Sequence, residues 1–483
     1  MRFSGLKAAL LGSAILAAAP AQAETLKDAL LAAYLTNPQL EAARAQLRAS
    51  DESVPLQRAG GLPSVSTSAN FTEFLKSSSS SFISPQRSLS ANVDLGVPLY
   101  SGGSVRNGIR AAETRVEAGR ADLRGTESAL FSQVVAAYMD VIQNEAIVGL
   151  SQNNVDVLAV NLEATSDRFE IGELTRTDVA QSASRLALAR GDLRSAQANL
   201  TNARENYVAL VGSAPEDLQA PPPLPGLPDS PDAAVDVALE HNPDLIAARE
   251  RAIAAGYDID VAGAGRLPRI EAFAQSGYQN YLGTLGAIPG TGAADQTSTS
   301  AQAGLRLTVP IFQGGRVSAQ RRQAQANSSA ALEQVIATER SVIAQVRAAY
   351  SSWRAANAII ASTQAAVDAA ELSLEGVRAE NTIGTRQILD VLNAEQELLA
   401  ARVQLVAARR NEYVAGFSLL AAMGRAEARD LGLADEGLLY DPVVNYERSR
   451  SILLDWQSDS DPVATSTRTV DIPAQDGEVP EEQ

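Results

Sequence analysis

Side chains able to do bond-making chemistry are scarce in this chain, which holds one histidine, His241, and no cysteine. His241 precedes an Asn-Pro pair, a helix-start setting that suits a surface or capping role better than catalysis. Without cysteine there is no thiol nucleophile, no disulfide framework, no lipid-modified cysteine and no Cys/His cluster with metal-ligand spacing. The two double glycines, Gly102-Gly103 and Gly314-Gly315, lack the Lys-Ser/Thr that a phosphate loop needs. What remains is electrostatic. Asp390 and Asn393 stand three apart and so face one side of a helix. Repeated about a threefold axis they would form a ring of carboxylates with a ring of amides one turn away, and like charges crowded in a narrow mouth attract cations and resist anions. Asp390 could also cap its helix, and the two roles can coexist. These residue types point away from an enzyme, with no cofactor and no metal site expected.

The elements that must position such a ring begin after an export signal. Arg2 and Lys7 precede an apolar run from Ala8 to Ala19, and Ala21-Gln22-Ala23 forms an A-x-A cleavage site before Glu24. The run is shorter than the roughly 20 apolar residues of a membrane-spanning helix, so residues 1–23 are expected to be removed. No later run is long enough to span a bilayer as a helix, so entry into a membrane would require a closed β-barrel. The net charge is −17, and loss of two basic residues with the signal makes the mature chain more acidic. A basic footprint for nucleic acid is absent. Low aromatic content, 5%, and abundant alanine fit long helices packed through small residues.

The chain repeats itself. Asn37-Pro38-Gln39-Leu40 returns as Asn242-Pro243-Asp244-Leu245, and Leu62-Pro63 as Leu267-Pro268, 205 residues on. Val97-Pro98-Leu99-Tyr100-Ser101-Gly102-Gly103 returns as Val309-Pro310-Ile311-Phe312-Gln313-Gly314-Gly315, 212 residues on, the second copy having gained residues around Gly283 to Thr299. The new register holds through Gly172 and Gly384, Asp178 and Asp390, and Gly212 and Gly424. The chain therefore divides into a first repeat over 24–212, a Pro-rich connector over 213–230, a second repeat over 231–424, a C-terminal segment over 425–456 and an acidic tail over 457–483, expected to be disordered.

Within each repeat the period changes from helix to strand and back. The pattern after Asn37-Pro38 is helical to about Arg58; Val65, Thr67, Ala69 and Phe71 then alternate with polar residues. Leu89, Ala91, Val93, Leu95, Val97 and Leu99 share one face of the next strand, as do Ala301, Ala303, Leu305, Leu307, Val309 and Ile311 in the second copy. Alternation over about ten residues suits a strand with one face to lipid and one to a lumen, although the edge of a soluble sheet alternates alike. Four strands cannot close a barrel, whereas twelve from a homotrimer could. Pro98 and Pro310, lacking an amide hydrogen, are expected to end ladder pairing, and the glycines to redirect strand into helix.

After each double glycine comes a proline-free helical run; the first, from about Val105 to Phe169, would be about 95 Å long. Val134, Val141, Val148, Val155, Leu162 and Phe169 recur every seventh residue, answered by Val346, Trp353, Ile360, Val367 and Leu374. A sustained heptad means left-handed coiled-coil packing. A turn at Gly172, with Thr177 or Asp178 as cap, leads to a returning helix with Val179, Leu186, Leu193 and Leu200 in heptad spacing, and Gly384 leads to its echo. Each repeat thus contains one full-length helix and two half-length ones that stack end to end.

On these duplicated joints, Asn-Pro helix starts and paired tips, the chain resembles the outer-membrane efflux protein family, the TolC-like channel-tunnels, over residues 24 to about 430. The resemblance implies a mainly α fold with a transmembrane β-barrel: a homotrimer forming one 12-stranded barrel in the outer membrane, continued by a 12-helix periplasmic coiled-coil tunnel. It implies an exit duct for multidrug efflux or type I protein secretion, opened by a periplasmic adaptor at the hairpin tips, Gly172 and Gly384, and by an inner-membrane exporter of RND, ABC or MFS type. A coiled-coil scaffold or adhesin without a channel is the alternative. The family closes its periplasmic end with acidic rings and polar locks. Asp390 matches the first ring position, and Asn393 the second, where well-studied members carry another aspartate. Arg386 matches the locking arginine, Thr177 and Asp178 match its partners on the neighbouring hairpin, and Asn381 stands where a tyrosine lock is often found.

Overall fold

A computed structural model describes residues 23–76, 84–286, 292, 294–433 and 437–479. The expected signal segment, apart from Ala23, lies outside the described residues.

The first repeat opens with α1 (Leu26–Thr36), α2 (Pro38–Asp51) and α3 (Ser53–Ala59). Helical structure thus reaches Arg58 as expected, but in two pieces. Pro55, with no amide hydrogen for an i→i−4 bond, sits in the first turn of α3, where its lack of a donor costs least. Strands β1 (Ser64–Glu73) and β2 (Arg87–Tyr100) follow, then α4 (Ser104–Glu170) and the returning α5 (Arg176–Val211). The second repeat supplies α6 (Pro231–His241), α7 (Pro243–Gly263), β3 (Arg269–Asn280), β4 (Thr297–Thr308), α8 (Arg316–Thr382) and α9 (Ile388–Ala422), and α10 (Pro442–Ser451) closes the series. α4 and α8 each run for 67 residues, about 100 Å at helical rise.

The Asn-Pro pairs do more than start helices. Asn37 accepts from the Gln39 amide at 2.9 Å and donates from Nδ2 to the Leu210 carbonyl at 2.9 Å. Asn242 repeats this, accepting from Asp244 at 3.0 Å and donating to Ala422 at 3.0 Å. Each asparagine therefore satisfies the orphan amides of one half-length helix and an orphan carbonyl of the other, which joins the halves end to end. Along the rod α4 packs against α2 and α7 in one half and against α5 and α9 in the other, while α8 packs against α7 and α9. The heptad residues Val134, Val141, Val148 and Val155 are buried, with Leu186, Leu193, Leu200, Val367, Leu374, Val391, Leu398 and Leu405. Phe169, the last in its series, is exposed at the tip.

The four strands form one antiparallel sheet in the order β1-β2-β3-β4. The register sets Phe71, Ala69, Thr67 and Val65 opposite Leu89, Ala91, Val93 and Leu95, and these beside Asn280, Tyr278, Ser276 and Ala274. Ala303 and Leu305 continue the face opposite Ala274 and Ala272. Directly paired residues share a face, so the apolar faces read strand by strand merge into one. The other face is polar, with Gln302 donating to Gln275 at 2.7 Å and Arg306 facing Glu271 at 3.4 Å.

Two details at the joints differ from expectation. β2 runs through Pro98 to Tyr100, because β1 ends opposite Gly96 and leaves the proline one unpaired side. A bulge between Pro98 and Tyr100 then removes Leu99 from the apolar series and sets Tyr100 opposite Ile270 on that face. Pro310 does lie beyond the end of β4. All four joint glycines have left-handed backbones, with φ of 66° at Gly102, 86° at Gly103, 61° at Gly314 and 81° at Gly315. A Cβ on Gly102 would lie 2.9 Å from the Leu267 Cβ, whereas one on Gly314 would meet nothing within 4 Å. Gly314→Ala should cost only the left-handed penalty of about 1–2 kcal/mol. Gly102→Ala should lower the melting temperature of the purified protein clearly further; equal losses would refute the close packing at the first joint.

The end of the tail makes contacts with the rod. Residues 457–479 form no helix or strand; Asp459 pairs with Arg448 of α10, and residues 475–478 reach α5. The Arg204 guanidinium donates to the Asp476 and Glu478 carbonyls at 3.0 and 3.1 Å, and the Gln475 amide donates to Glu205 at 2.8 Å. These contacts are hydrogen bonds to a cation and a carboxylate rather than apolar packing. Residues 480–483 lie outside the described set.

Candidate functional site at the helical tips

The two tips are built alike and finished differently. Gly172 and Gly384, with φ of 84° and 81°, turn the chain after α4 and α8. The cap of α5 is Thr175, not Thr177 or Asp178. Its hydroxyl accepts from the Asp178 amide at 3.3 Å, and the Asp178 carboxylate accepts from the Thr175 amide at 2.9 Å, a reciprocal capping box. These bonds hold the Asp178 carboxyl below the usual carboxylate range. In the second repeat the position of Thr175 is taken by Gln387, which caps α9 with no side-chain bond. Asp390, the counterpart of Asp178, is therefore not spent as a cap.

Arg386 stands beside it. Its Nε donates to Glu380 at 2.7 Å and its Nη1 lies 3.9 Å from Asp390. These carboxylates, Glu380 foremost, push the guanidinium pKa up. Asn381 donates to the Arg386 carbonyl at 2.9 Å, fixing the turn by an amide. Within the chain, Thr177 and Asp178 stay on the first hairpin, and among the described residues no hydrogen bond or ion pair joins either of them to Arg386. Asn393 is bound from the other hairpin: Arg185 on α5 donates to its Oδ1 at 2.8 Å and also to Gln396. Arg378 closes the second hairpin on itself by pairing with Glu395, whose side chain is 9% exposed.

The structure thus brings Arg386 to Asp390 and Asn393 to Arg185. Arg185, Gln396, Arg378 and Glu395 carry no sequence signal of comparable strength. Arg378 and Glu395 could have been found as an opposite-charge pair flanking the Gly384 turn. Arg185 needs α9 beside α5, which no local pattern shows.

A second polar cluster lies where α1, α2 and α4 meet the segment before α10. Burial pushes the Glu127 carboxyl up to about 7, and the nearby Glu427 carboxylate adds to the shift. Glu127 accepts from the Ala428 amide at 2.5 Å, while Glu427 pairs with Arg124 at 2.7 Å. His241 does no comparable work: its Nδ1 lies 3.1 Å from the Val237 carbonyl and its Nε2 lies 3.2 Å from Arg425. Among the described residues no group of three His, Asp or Glu is placed to hold a metal ion, and no helix is long and apolar enough to cross a membrane.

The family described as Outer membrane efflux protein matches residues 30–213 and 234–425, nearly the two repeats. The chain is similar to the outer membrane efflux protein BepC of Brucella suis biovar 1 (strain 1330), 34% identical over 426 residues, covering 88% of this chain and 91% of that protein. It is similar to the outer membrane protein TolC of Escherichia coli (strain K12), 28% identical, covering 87% and 86%. Its fold resembles the crystal structure of the outer membrane protein VceC from Vibrio cholerae, with a TM-score of 0.70 at 23% identity, covering 83% of this chain and 96% of that one. The chain belongs to the outer membrane efflux protein family and is an outer-membrane exit channel.

Proposed function

We propose that three copies of this chain close into a 12-stranded barrel continued by a 12-helix tunnel. The duct is passive, and a periplasmic adaptor and an inner-membrane exporter of RND, ABC or MFS type open it at the hairpin tips. The observation that carries this reading is the open sheet: β1 and β4 are unpaired edges, and one apolar face runs across all four strands. A long exposed edge invites pairing with another copy, and closure satisfies every edge while turning the apolar face to lipid. Leu332, Ile336, Ile359 and Leu372 are exposed along α8, the helix at one side of the protomer, where a neighbouring copy would cover them. The test is fractionation with cross-linking and planar-bilayer recording. A trimer that resists alkaline washing of outer membranes and conducts ions supports the duct; a chain that washes off as a scaffold would overturns it.

In this reading residues 1–23 are the export signal and Asp390 forms the pore-mouth ring, with Asn393 and its partner Arg185 one turn away. Arg386, Thr177 and Asp178 belong to the closed tip, and the turns at Gly172 and Gly384 face the adaptor. Three Asp390 carboxylates attract multivalent cations. Asp390→Ala should weaken block by trivalent cations in bilayers by an order of magnitude or more, since α9 does not depend on it for a cap. Unchanged block would remove Asp390 from the pore lining.

A further inference from the structure

Glu24 is the first residue after the expected cleavage site, and it spends nearly every polar group it has on holding the middle of the rod together. Its carbonyl accepts from the Gln219 amide at 3.0 Å and lies 2.9 Å from the Tyr138 hydroxyl. One carboxylate oxygen accepts from the Tyr207 hydroxyl at 2.6 Å and the other from the Glu216 amide at 3.2 Å. Its backbone nitrogen lies 3.2 Å from the Glu216 carbonyl. Tyr138 on α4 and Tyr207 on α5 are fully buried, and Glu216 and Gln219 belong to the connector between the repeats. One residue therefore ties two helices and the connector.

The surroundings of that nitrogen are unbalanced. The pocket around it is lined by Ala23, Glu24, Thr25, Asp28, Ser213, Ala214, Glu216 and Gln219, three carboxylates and no basic side chain. Burial and the Asp28 and Glu216 charges push the Glu24 carboxyl up. Lys27, the nearest base in sequence, is exposed and does not line the pocket. Carboxylates gathered without a counter-charge are unfavourable.

We propose that cleavage after Ala23 completes this junction: the α-ammonium freed on Glu24 keeps the bond to the Glu216 carbonyl and offsets one of the three negative charges that Glu24, Asp28 and Glu216 bring to the pocket. Hydrolysis adds the hydroxyl of water to the Ala23 carbonyl carbon and a proton to the Glu24 nitrogen, which takes up a second proton from solvent. In the uncleaved chain the same nitrogen is an uncharged amide. Removal of the signal thus does more than release the chain; it supplies the cation that fixes the N-terminus to the connector. This proposal rests on the cleavage assignment, and the experiment separates the two.

The mature protein, purified from outer membranes in detergent, is sequenced from its N-terminus and treated at pH 7 with an amine acylating reagent, and the N-terminal peptide is followed by mass spectrometry. An ammonium held by carboxylates has a raised pKa, and a shift of one unit lowers the reactive free-amine fraction about tenfold. Labelling at Glu24 should therefore be at least about tenfold slower than in a free peptide beginning Glu-Thr-Leu. Insertion of one serine between Ala23 and Glu24 moves the amine by about 3.8 Å and should restore the peptide rate; Glu216→Gln should restore part of it. A mature chain beginning elsewhere overturns the cleavage assignment and the proposal together. A chain beginning at Glu24 that labels as fast as the peptide, or as fast as the serine-insertion variant, overturns the proposal alone.

Discussion

Arg386→Ser is expected to raise the conductance of the closed channel in planar bilayers several-fold, while Asp178→Ala is expected to lower the melting temperature with little change in conductance. The family pattern treats both residues as members of one lock between neighbouring hairpins. Within the chain they do different work. Arg386 joins Glu380 at the end of α8 to Asp390 at the start of α9 across the turn, so its loss frees the tip and, in the proposed trimer, would leave three like charges at the mouth. These contacts are solvent-exposed, and each alone contributes little; threefold repetition makes the loss visible in the open-to-closed ratio. Asp178 is engaged by Thr175 in the capping box, whose removal costs about 1 kcal/mol of helix stability. If Asp178→Ala opens the channel as much as Arg386→Ser, the inter-protomer lock dominates and the capping box is secondary. Recording both variants in the same bilayer system decides it.

The second large effect concerns pH. Burial raises the Glu127 carboxyl to about 7 from a model-peptide value near 4.5, so the folded chain holds a proton there that the unfolded chain has already released. Stability from this group is therefore fully present below pH 4.5 and is lost as pH rises through 7. A shift of this size corresponds to about 3 kcal/mol per protomer. The melting temperature should fall between pH 5 and pH 8, and Glu127→Gln should make that fall clearly shallower while keeping an acceptor for the Ala428 amide; the raised Glu24, Asp51 and Glu250 carboxyls act in the same sense and leave a remainder. The lowered Asp178 carboxyl acts in the opposite sense, but only below about pH 4, outside the window. A pH slope that persists undiminished in Glu127→Gln would place its origin elsewhere.

Much of the fold was legible because its signals are periodic and occur twice. Heptads in α4, α5, α8 and α9, alternation in β2 and β4, and glycines at Gly102-Gly103, Gly172, Gly314-Gly315 and Gly384 each reflect a local constraint that one sequence window contains. The second copy excluded coincidence. No local pattern distinguishes Thr175 from Thr177 and Asp178 as the cap, and only backbone dihedrals separate them. Leu99 was placed on the apolar face because alternation carries no mark of a bulge.

What the sequence alone determined is the plan: two repeats, four strands, two very long helices, and a carboxylate at Asp390 near a turn. Tertiary structure decided how the charges are used. Asp178 and Asp390 occupy equivalent positions, and the residue three places before each, Thr175 or Gln387, sets one as a cap and leaves the other free. Arg185 reaches Asn393 and Gln396 only because α5 and α9 lie side by side, and Arg204 meets Asp476 and Glu478 only because the end of the tail reaches α5. Such pairings join residues far apart in the chain, where no period links them. Glu24 shows both sides of the division: its place after Ala21-Gln22-Ala23 is written in the sequence, but the two tyrosines and the connector that it joins converge only in the folded rod.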